Sequence, residues 1–443
     1  MANSASFPRV TMIPSTTSTY PFEPTPRWTT VNPRPFPPFS ARSEVLEKPP
    51  LPSPPRNDLF NDNYIIYHCL LSQKSSANAS ERRQELKQLA AGIDERQELF
   101  MQGKLGGEGS QKPLWNCVNR YARSGQNGRK GLTLLLTHAT GFPKETWETT
   151  LRYLLSSPSA SLIDEVWSWE AVQHGDAALV NEANLSGIYD WLDNARDIAH
   201  FLLHYLPEDA SSKALPTHLH LLPENISEYR KTEGFSSRSL VVVGHSFGGS
   251  SPILAAVNFP VLFSSMILVD PVVVQSGTYP PNYVPTRLLG ALGRRERWSS
   301  REEALRSLKA SPFFGGWHPD VLRLYVTYGI CEDSQGGVKL KTSGLHEALV
   351  FGGRVGSYEA WELLSKVDER IELRWVVPGK PGDKGIEGEQ ATRVRVWRRP
   401  ANSSNVVIHS AGHLIPQESP EELAQEISAF LERKYGLRSK AYL

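Results

Sequence analysis

The sequence predicts an α/β fold: a mostly parallel, twisted sheet with helices on both faces and a helical cap inserted late in the chain. Three observations predict it. Short apolar runs of strand length alternate with segments of helical pattern. One such run, Leu240 to Val243, enters a serine turn bracketed by glycines and continues into a helix-like segment. A long helix-rich stretch, from about 275 to 368, interrupts the alternation once.

Residues 1–58 are rich in Pro, Ser and Thr, as in PRPFPPFSARSEVLEKPPLPSPPR. Such a segment has too little apolar area to offset its ordering entropy, so an irregular or disordered tail is expected. Residues 59–274 read as the first part of the core. Tyr64 to Leu71 and Leu114 to Tyr121 are expected as early strands, with a charged helix over Ser80 to Phe100 between them. Leu132 to Leu136 (LTLLL) is wholly apolar, as a strand covered on both faces should be. Ile163 to Trp169, Leu240 to Val243 and Met266 to Val269 continue the series, and Tyr189 to Tyr205 is expected as a helix. Residues 275–368 are expected to form the cap. Residues 369–443 return to the core, with strands at Ile371 to Val377 and Val406 to Ile408 and a last helix at Glu421 to Lys434. Strands alternating with helices imply parallel pairing through right-handed crossovers. The segment from Glu208 to Ser237 has no place in this scheme.

The composition narrows the function. Lys+Arg 48 against Asp+Glu 47 gives a net charge of +1, which offers no electrostatic reason to expect nucleic acid or an anionic membrane as partner. The cysteines, Cys69, Cys117 and Cys331, are sparse and odd in number, which speaks against a disulfide framework or a structural zinc site and for a reducing compartment. The N-terminus has no continuous apolar h-region, and no run of about 18 apolar residues occurs, so neither a signal peptide nor stable membrane insertion is expected. No metal or organic cofactor is implied.

The sharpest signal is Gly244-His245-Ser246-Phe247-Gly248, a G-x-S-x-G between an apolar strand and a helix. In that context it reads as the nucleophile elbow of the α/β-hydrolase fold, with Ser246 as nucleophile. Glycine fits at 244 and 248 because side chains there would clash in so tight a turn. A serine hydroxyl needs a base, and the base needs an orienting acid; in this fold the chain order is Ser, acid, His. His413, in the loop after the last apolar run, is the expected base. His409 is closer to the strand and reads as structural, His245 as packing, and His318 and His346 fall in the cap. Asp270 ends the strand MILVDP at the sheet edge where ligands bind. Asp383, after the next strand in PGKPGDKG, is the alternative acid; Asp270 is favoured because its strand end would hold it rigidly. Two backbone N–H groups should stabilise an oxyanion: that of Phe247, and that of Thr140 in the loop THATGFP, with Ala139 as fallback.

The motifs HATGFPKETW, QHGDA (Gln173 to Ala177), VVGHSFGG, LVDPVV and AGHLIP, with the cap stretch from RRERWSS to YVTYG, occur in order over about residues 60 to 435. In these the chain resembles the α/β-hydrolases of fungal peroxisomal lipase and toxin-biosynthesis type, including acyl-CoA hydrolases of fungal secondary metabolism. The resemblance implies a Ser246, Asp270, His413 triad, the acid following the sixth strand, and hydrolysis of an ester or thioester with an apolar acyl portion. Members of that group often end in an S-K-L tripeptide for peroxisomal import. This chain ends RSKAYL, where Leu443 fits and Ala441 and Tyr442 depart, so the expected compartment is intracellular, peroxisome or cytoplasm.

The reading is thus a serine hydrolase for a small acyl ester or thioester, with no nucleic-acid partner. A transacylase of the same fold and a catalytically inactive binding member are the alternatives. The cap aromatics Trp298, Phe313, Phe314, Trp317, Tyr325 and Tyr328 suggest an apolar pocket, or a core of the cap's own.

Overall fold

A computed structural model describes residues 17–25, 31–39, 48–50, 52, 79–105, 113–123, 130–211, 214–279, 282–383 and 385–436. In chain order the strands are β1 (Thr17–Ser18), β2 (Cys117–Ala122), β3 (Gly131–Thr137), β4 (Ile163–Glu170), β5 (Arg238–His245), β6 (Ser265–Val269), the short β7 (Arg297–Trp298), β8 (Ile330–Glu332) and β9 (Val338–Leu340), then β10 (Glu372–Pro378) and β11 (Ser403–Ile408). Helices α1 (Ala79–Met101), α2 (Glu148–Leu155), α3 (Gly175–Asn181), α4 (Trp191–His204), α5 (Glu224–Glu233) and α6 (Phe247–Asn258) belong to the first half. The second half carries α7 (Tyr283–Gly293), α8 (Arg301–Lys309), α9 (Pro312–Gly315), α10 (Pro319–Tyr328), α11 (Gly344–Gly352), α12 (Val355–Leu364), α13 (Glu389–Arg395), α14 (Ile415–Glu418) and α15 (Pro420–Leu431).

The main sheet has eight strands in the order β1-β11-β10-β6-β5-β3-β4-β2. It is parallel from β11 to β4 and antiparallel only at its two edges. The apolar runs follow from burial on both faces. Leu134, Leu136, Val241 and Val243 point one way, onto Leu151 and Leu154 of α2 and Leu423, Ile427 and Phe430 of α15. Leu135, Leu240 and Val242 point the other way, onto residues of α4, α6 and α12. Because the central strands are parallel, β3, β5, β6, β10 and β11 all end at one edge of the sheet, where loops bearing reactive groups can meet.

The structure corrects three expectations. The N-terminal segment is not wholly a loose tail. Within 17–25 and 31–39, β1 pairs with β11, Tyr20 is buried, and Phe36 and Phe39 pack on the helical layer. Arg34 is held by both Asp190 and Glu359. Interspersed aromatics and a bidentate arginine supply what the Pro-rich composition lacks. The stretch 275–368 is not all cap, because Ala360, Trp361 and Leu364 of α12 bury into the main core. It is not all helix either, because β7, β9 and β8 form a small antiparallel sheet. The strand expected at Tyr64 to Leu71 lies outside the described residues.

The segment from Glu208 to Ser237 finds its place in α5. The Arg230 guanidinium donates to the Leu202 and Leu206 carbonyls at 2.9 and 2.8 Å, closing the C-terminal end of α4. Among the described residues no helix is long and apolar enough to cross a membrane.

Candidate active site

The turn between β5 and α6 sets the site. Ser246 has φ 57° and ψ −126°, a conformation that non-glycine residues seldom hold. It is held there by its neighbours. The Ser246 N–H donates to the Val269 carbonyl at 3.1 Å, and its own carbonyl accepts from Gly249 and Val272 at 2.9 and 3.1 Å. The glycines are required by space. A Cβ on Gly244 would lie 2.6 Å from the Gly248 carbonyl oxygen, and one on Gly248 would lie 2.3 Å from that of His138.

The structure brings the three sequence-derived residues together. The Nε2 of His413 is 3.0 Å from the Ser246 Oγ, and its Nδ1 is 2.6 Å from the Asp270 Oδ2. Asp270 follows β6 and is wholly buried, with φ 33° and its N–H donated to the Val376 carbonyl at 2.9 Å. Burial pushes its carboxyl up. The hydrogen bond from His413 and the charge of Arg395 outweigh that and leave it below the ordinary carboxylate range. Asp383 reaches the same loop without taking this role. Its carboxylate sits against the Cα of Gly412, in the space where a Cβ would come within 2.1 Å of Oδ2.

His245 does more than pack. Its Nε2–H donates to the His413 main-chain carbonyl at 2.9 Å and so fixes the loop that carries the imidazole. Burial lowers its pKa to about 3, so it stays neutral as a donor. Glu418 holds the same loop from the other side, accepting the Gly412 N–H at 3.2 Å.

The two main-chain N–H groups expected as oxyanion donors lie on two loops beside Ser246. Phe247 is the first residue of α6, so its N–H has no intrahelical acceptor, and the helix end adds a favourable field for negative charge. Thr140 and Ala139 both line the cavity above Ser246. His138 fixes their loop: its Nδ1–H donates to the Ala139 carbonyl at 2.8 Å, and its Nε2 accepts the Ala171 N–H at 3.1 Å. Accepting at Nε2 needs a neutral ring, and burial lowers the His138 pKa to about 4. Below the loop lies Lys144, buried among carboxylates of Glu145, Glu170 and Asp176 at 3.1, 3.2 and 2.9 Å. Lys341, from the chain beyond β9, also pairs with Asp176 and ties the inserted region to this layer. Nothing in the apolar pattern marks this cluster, since buried charges leave no periodic trace; the motifs HATGFPKETW and QHGDA, which hold Lys144, Glu145 and Asp176, are its visible signs.

The cavity has a volume of about 310 Å³ and opens over Ser246 and His413. Its wall is largely apolar: Phe142, Trp191, Val272, Tyr279, Tyr283, Val284, Phe351, Ile386 and Leu414. Of the six cap aromatics singled out by sequence, Phe313 alone lines it. Trp298, Trp317 and Tyr325 are buried in a separate cluster that holds the cap together. Among the described residues no group of acidic, His or Cys side chains is arranged to hold a metal ion.

Comparisons with known proteins agree with this architecture. A family model described as the alpha/beta hydrolase family matches residues 134–426. The chain is 29% identical over 193 residues to the type I acyl-CoA thioesterase mpaH of Penicillium brevicompactum, covering 42% of this chain and 38% of that one. It thus spans well under half the length of this curated relative. It is 27% identical over 226 residues to the abhydrolase domain-containing protein AFT2-1 of Alternaria alternata, covering 44% of this chain and 83% of that one. Among solved structures it is similar to the peroxisomal alpha-beta-hydrolase Lpx1 of Saccharomyces cerevisiae, with a TM-score of 0.58 at 20% identity, covering 74% of this chain and 86% of that one.

Proposed function

Because the chain belongs to the alpha/beta hydrolase family, we propose that it is a serine hydrolase that cleaves an ester or thioester with an apolar acyl portion. The observation that supports this reading is the continuous line of hydrogen bonds from Ser246 through His413 to Asp270 at the floor of an apolar cavity.

In this reading His413 takes the Oγ proton as Ser246 attacks the acyl carbonyl carbon. The carbonyl electrons move onto oxygen, and the N–H groups of Phe247 and Thr140 stabilise the resulting oxyanion. His413 then gives its proton to the leaving alcohol or thiol as the bond to it breaks. Water, deprotonated by the same imidazole, attacks the acyl carbon; the bond to the Ser246 Oγ breaks, the imidazolium returns its proton to Oγ, and the acid is released. Asp270 remains ionised throughout; it holds the imidazole in the correct tautomer and stabilises its cation. The thioesterase name of the Penicillium relative supports a thioester, including an acyl-CoA, as the substrate class. The peroxisomal name of the Saccharomyces relative supports a reaction inside the cell, in peroxisome or cytoplasm, which the location of a fluorescent fusion separates.

The direct test is labelling by a serine-directed fluorophosphonate, with turnover of p-nitrophenyl esters and acyl-CoAs alongside. Wild-type protein is expected to label and turn over, and Ser246→Ala to do neither. Labelling that persists in Ser246→Ala sinks the assignment.

A further inference from the structure

Asp270 offers two oxygens, and His413 takes only one. The other, Oδ1, accepts from the Nη2 of Arg395 at 2.9 Å, and both side chains are fully excluded from solvent. A guanidinium is costly to bury, so its presence beside the wholly buried Asp270 demands a reason. Arg395 ends α13, and its remaining contacts fix its aim. The same Nη2 donates to the Thr392 Oγ1 at 3.0 Å, Nη1 reaches the Val273 carbonyl at 3.5 Å, and the Glu387 carboxylate stands 3.9 Å away.

The N-terminal segment braces this helix from outside. The Arg393 guanidinium lies 4.5 Å over the Tyr20 ring, and the Trp397 indole N–H donates to the Pro21 carbonyl at 2.7 Å. The Tyr20 main chain in turn exchanges two hydrogen bonds with the Asn405 side chain, at 2.7 and 3.1 Å.

We infer that Arg395 is a positioning residue for the proposed reaction: its guanidinium fixes the carboxylate plane of Asp270 and holds it ionised, so that His413 is presented to Ser246 in one tautomer and one orientation. The inference rests on the reading of Ser246, His413 and Asp270 given above. The charged and titratable groups that bear on the pair are few. Arg395 and His245 act on Asp270 directly, and Glu387, Tyr20 and Tyr283 feel its charge. Around the His413 loop, Lys380 is paired with Glu418 at 2.7 Å, and Asp383 lies against Gly412. Arg395 is therefore the one buried permanent cation in contact with Asp270 among the described residues.

The chemistry separates two parts of its effect. Loss of the charge lets the His413–Asp270 pair bind a proton more readily, since a nearby cation opposes protonation. Loss of the planar fork, with the charge kept, loosens the carboxylate without that change.

The experiment compares full-length wild type, Arg395→Met and Arg395→Lys, each with kcat, KM and the pH profile of kcat/KM on a neutral p-nitrophenyl ester. Arg395→Met is expected to lower kcat by about a hundredfold, to change KM by less than about threefold, and to move the acid limb upward by about one pH unit. Arg395→Lys is expected to leave the limb in place and to lower kcat by about tenfold. An unmoved limb in Arg395→Met, or wild-type kcat in Arg395→Lys, overturns the inference. If Arg395→Met does not fold, Arg395→Lys decides by itself through kcat and limb position. Wild-type turnover and fluorophosphonate labelling report separately on the hydrolase reading, so the two failures are distinguishable.

Discussion

The Nδ1 of His413 and the Oδ2 of Asp270 stand 2.6 Å apart although 143 residues separate them in the chain. Asp383, thirty residues before the same histidine, sits closer in sequence but packs against the backbone of Gly412 instead. The partner of the His413 ring is thus set by the edge of the sheet and not by proximity in the chain. Asp270→Asn is therefore expected to lower kcat by about 10⁴-fold, because an amide stabilises the wrong tautomer of the imidazole. Asp383→Asn is expected to change kcat by less than about tenfold. Steady-state turnover of a p-nitrophenyl ester by both variants checks this, and the opposite ranking transfers the role to Asp383.

The turn glycines make a second prediction. A methyl group at 248 would meet the carbonyl oxygens of His138 and Thr137 at 2.3 and 2.6 Å, and neither is the end of a flexible side chain. Gly248→Ala is expected to cost about 1–3 kcal/mol of stability, as overpacking does. It should also lower kcat, because the displaced backbone carries the loop that presents Thr140. Urea titration and turnover together test this; a variant as active and stable as wild type would contradict the geometry.

Stability should depend on pH in a stated direction. Burial lowers the pKa of His138 and His346 to about 4 and of His245 to about 3, and holds His174 well below the ordinary range. The unfolded chain binds protons at these groups near pH 6.5, and the folded chain refuses them. Their contribution is thus fully present above about pH 6.5 and declines as pH falls toward 4, by up to about 1.4 kcal/mol per pH unit for each group. Urea midpoints measured down this range should fall steadily. A midpoint that is flat between neutral pH and pH 5 contradicts the burial of these rings.

Two cap aromatics separate pocket from core. Phe313 is 51% exposed and lines the cavity, whereas Trp317 is 5% exposed and packs on Phe142, Phe314 and Tyr325. Trp317→Ala is expected to cost about 3–5 kcal/mol. Phe313→Ala is expected to cost less than about 0.5 kcal/mol while raising KM for longer acyl esters. Thermal melts and a chain-length series check the pair; equal effects on stability would merge the two roles.

Much of this candidate site is legible in the sequence because its residues follow strand ends. Ser246, Asp270 and His413 each follow an apolar run, and such runs are visible whenever both faces of a strand are covered. Arg395 was not legible. It lies 125 residues from Asp270, on a helix of seven residues after a glycine-rich loop, and nothing local distinguishes it from Arg393 or Arg398. The sequence of α12 reads as cap because its pattern says only that one face is apolar, not which body that face meets. The N-terminal contacts were hidden for a different reason: a two-residue strand and scattered aromatics carry no period to detect.

That short strand has a practical corollary. β1 occupies the outer hydrogen-bonding groups of β11 through Thr17 and Ser18, and the Ser18 hydroxyl meets the His409 ring at 2.8 Å. Trimming the chain past Tyr20, by design or by a protease, would uncover a flat row of amides and carbonyls beside the apolar residues Val406 to Ile408. Such a row is a template for a second molecule. Shortened preparations should therefore assemble into larger species at concentrations where the intact chain does not, whatever their catalytic competence.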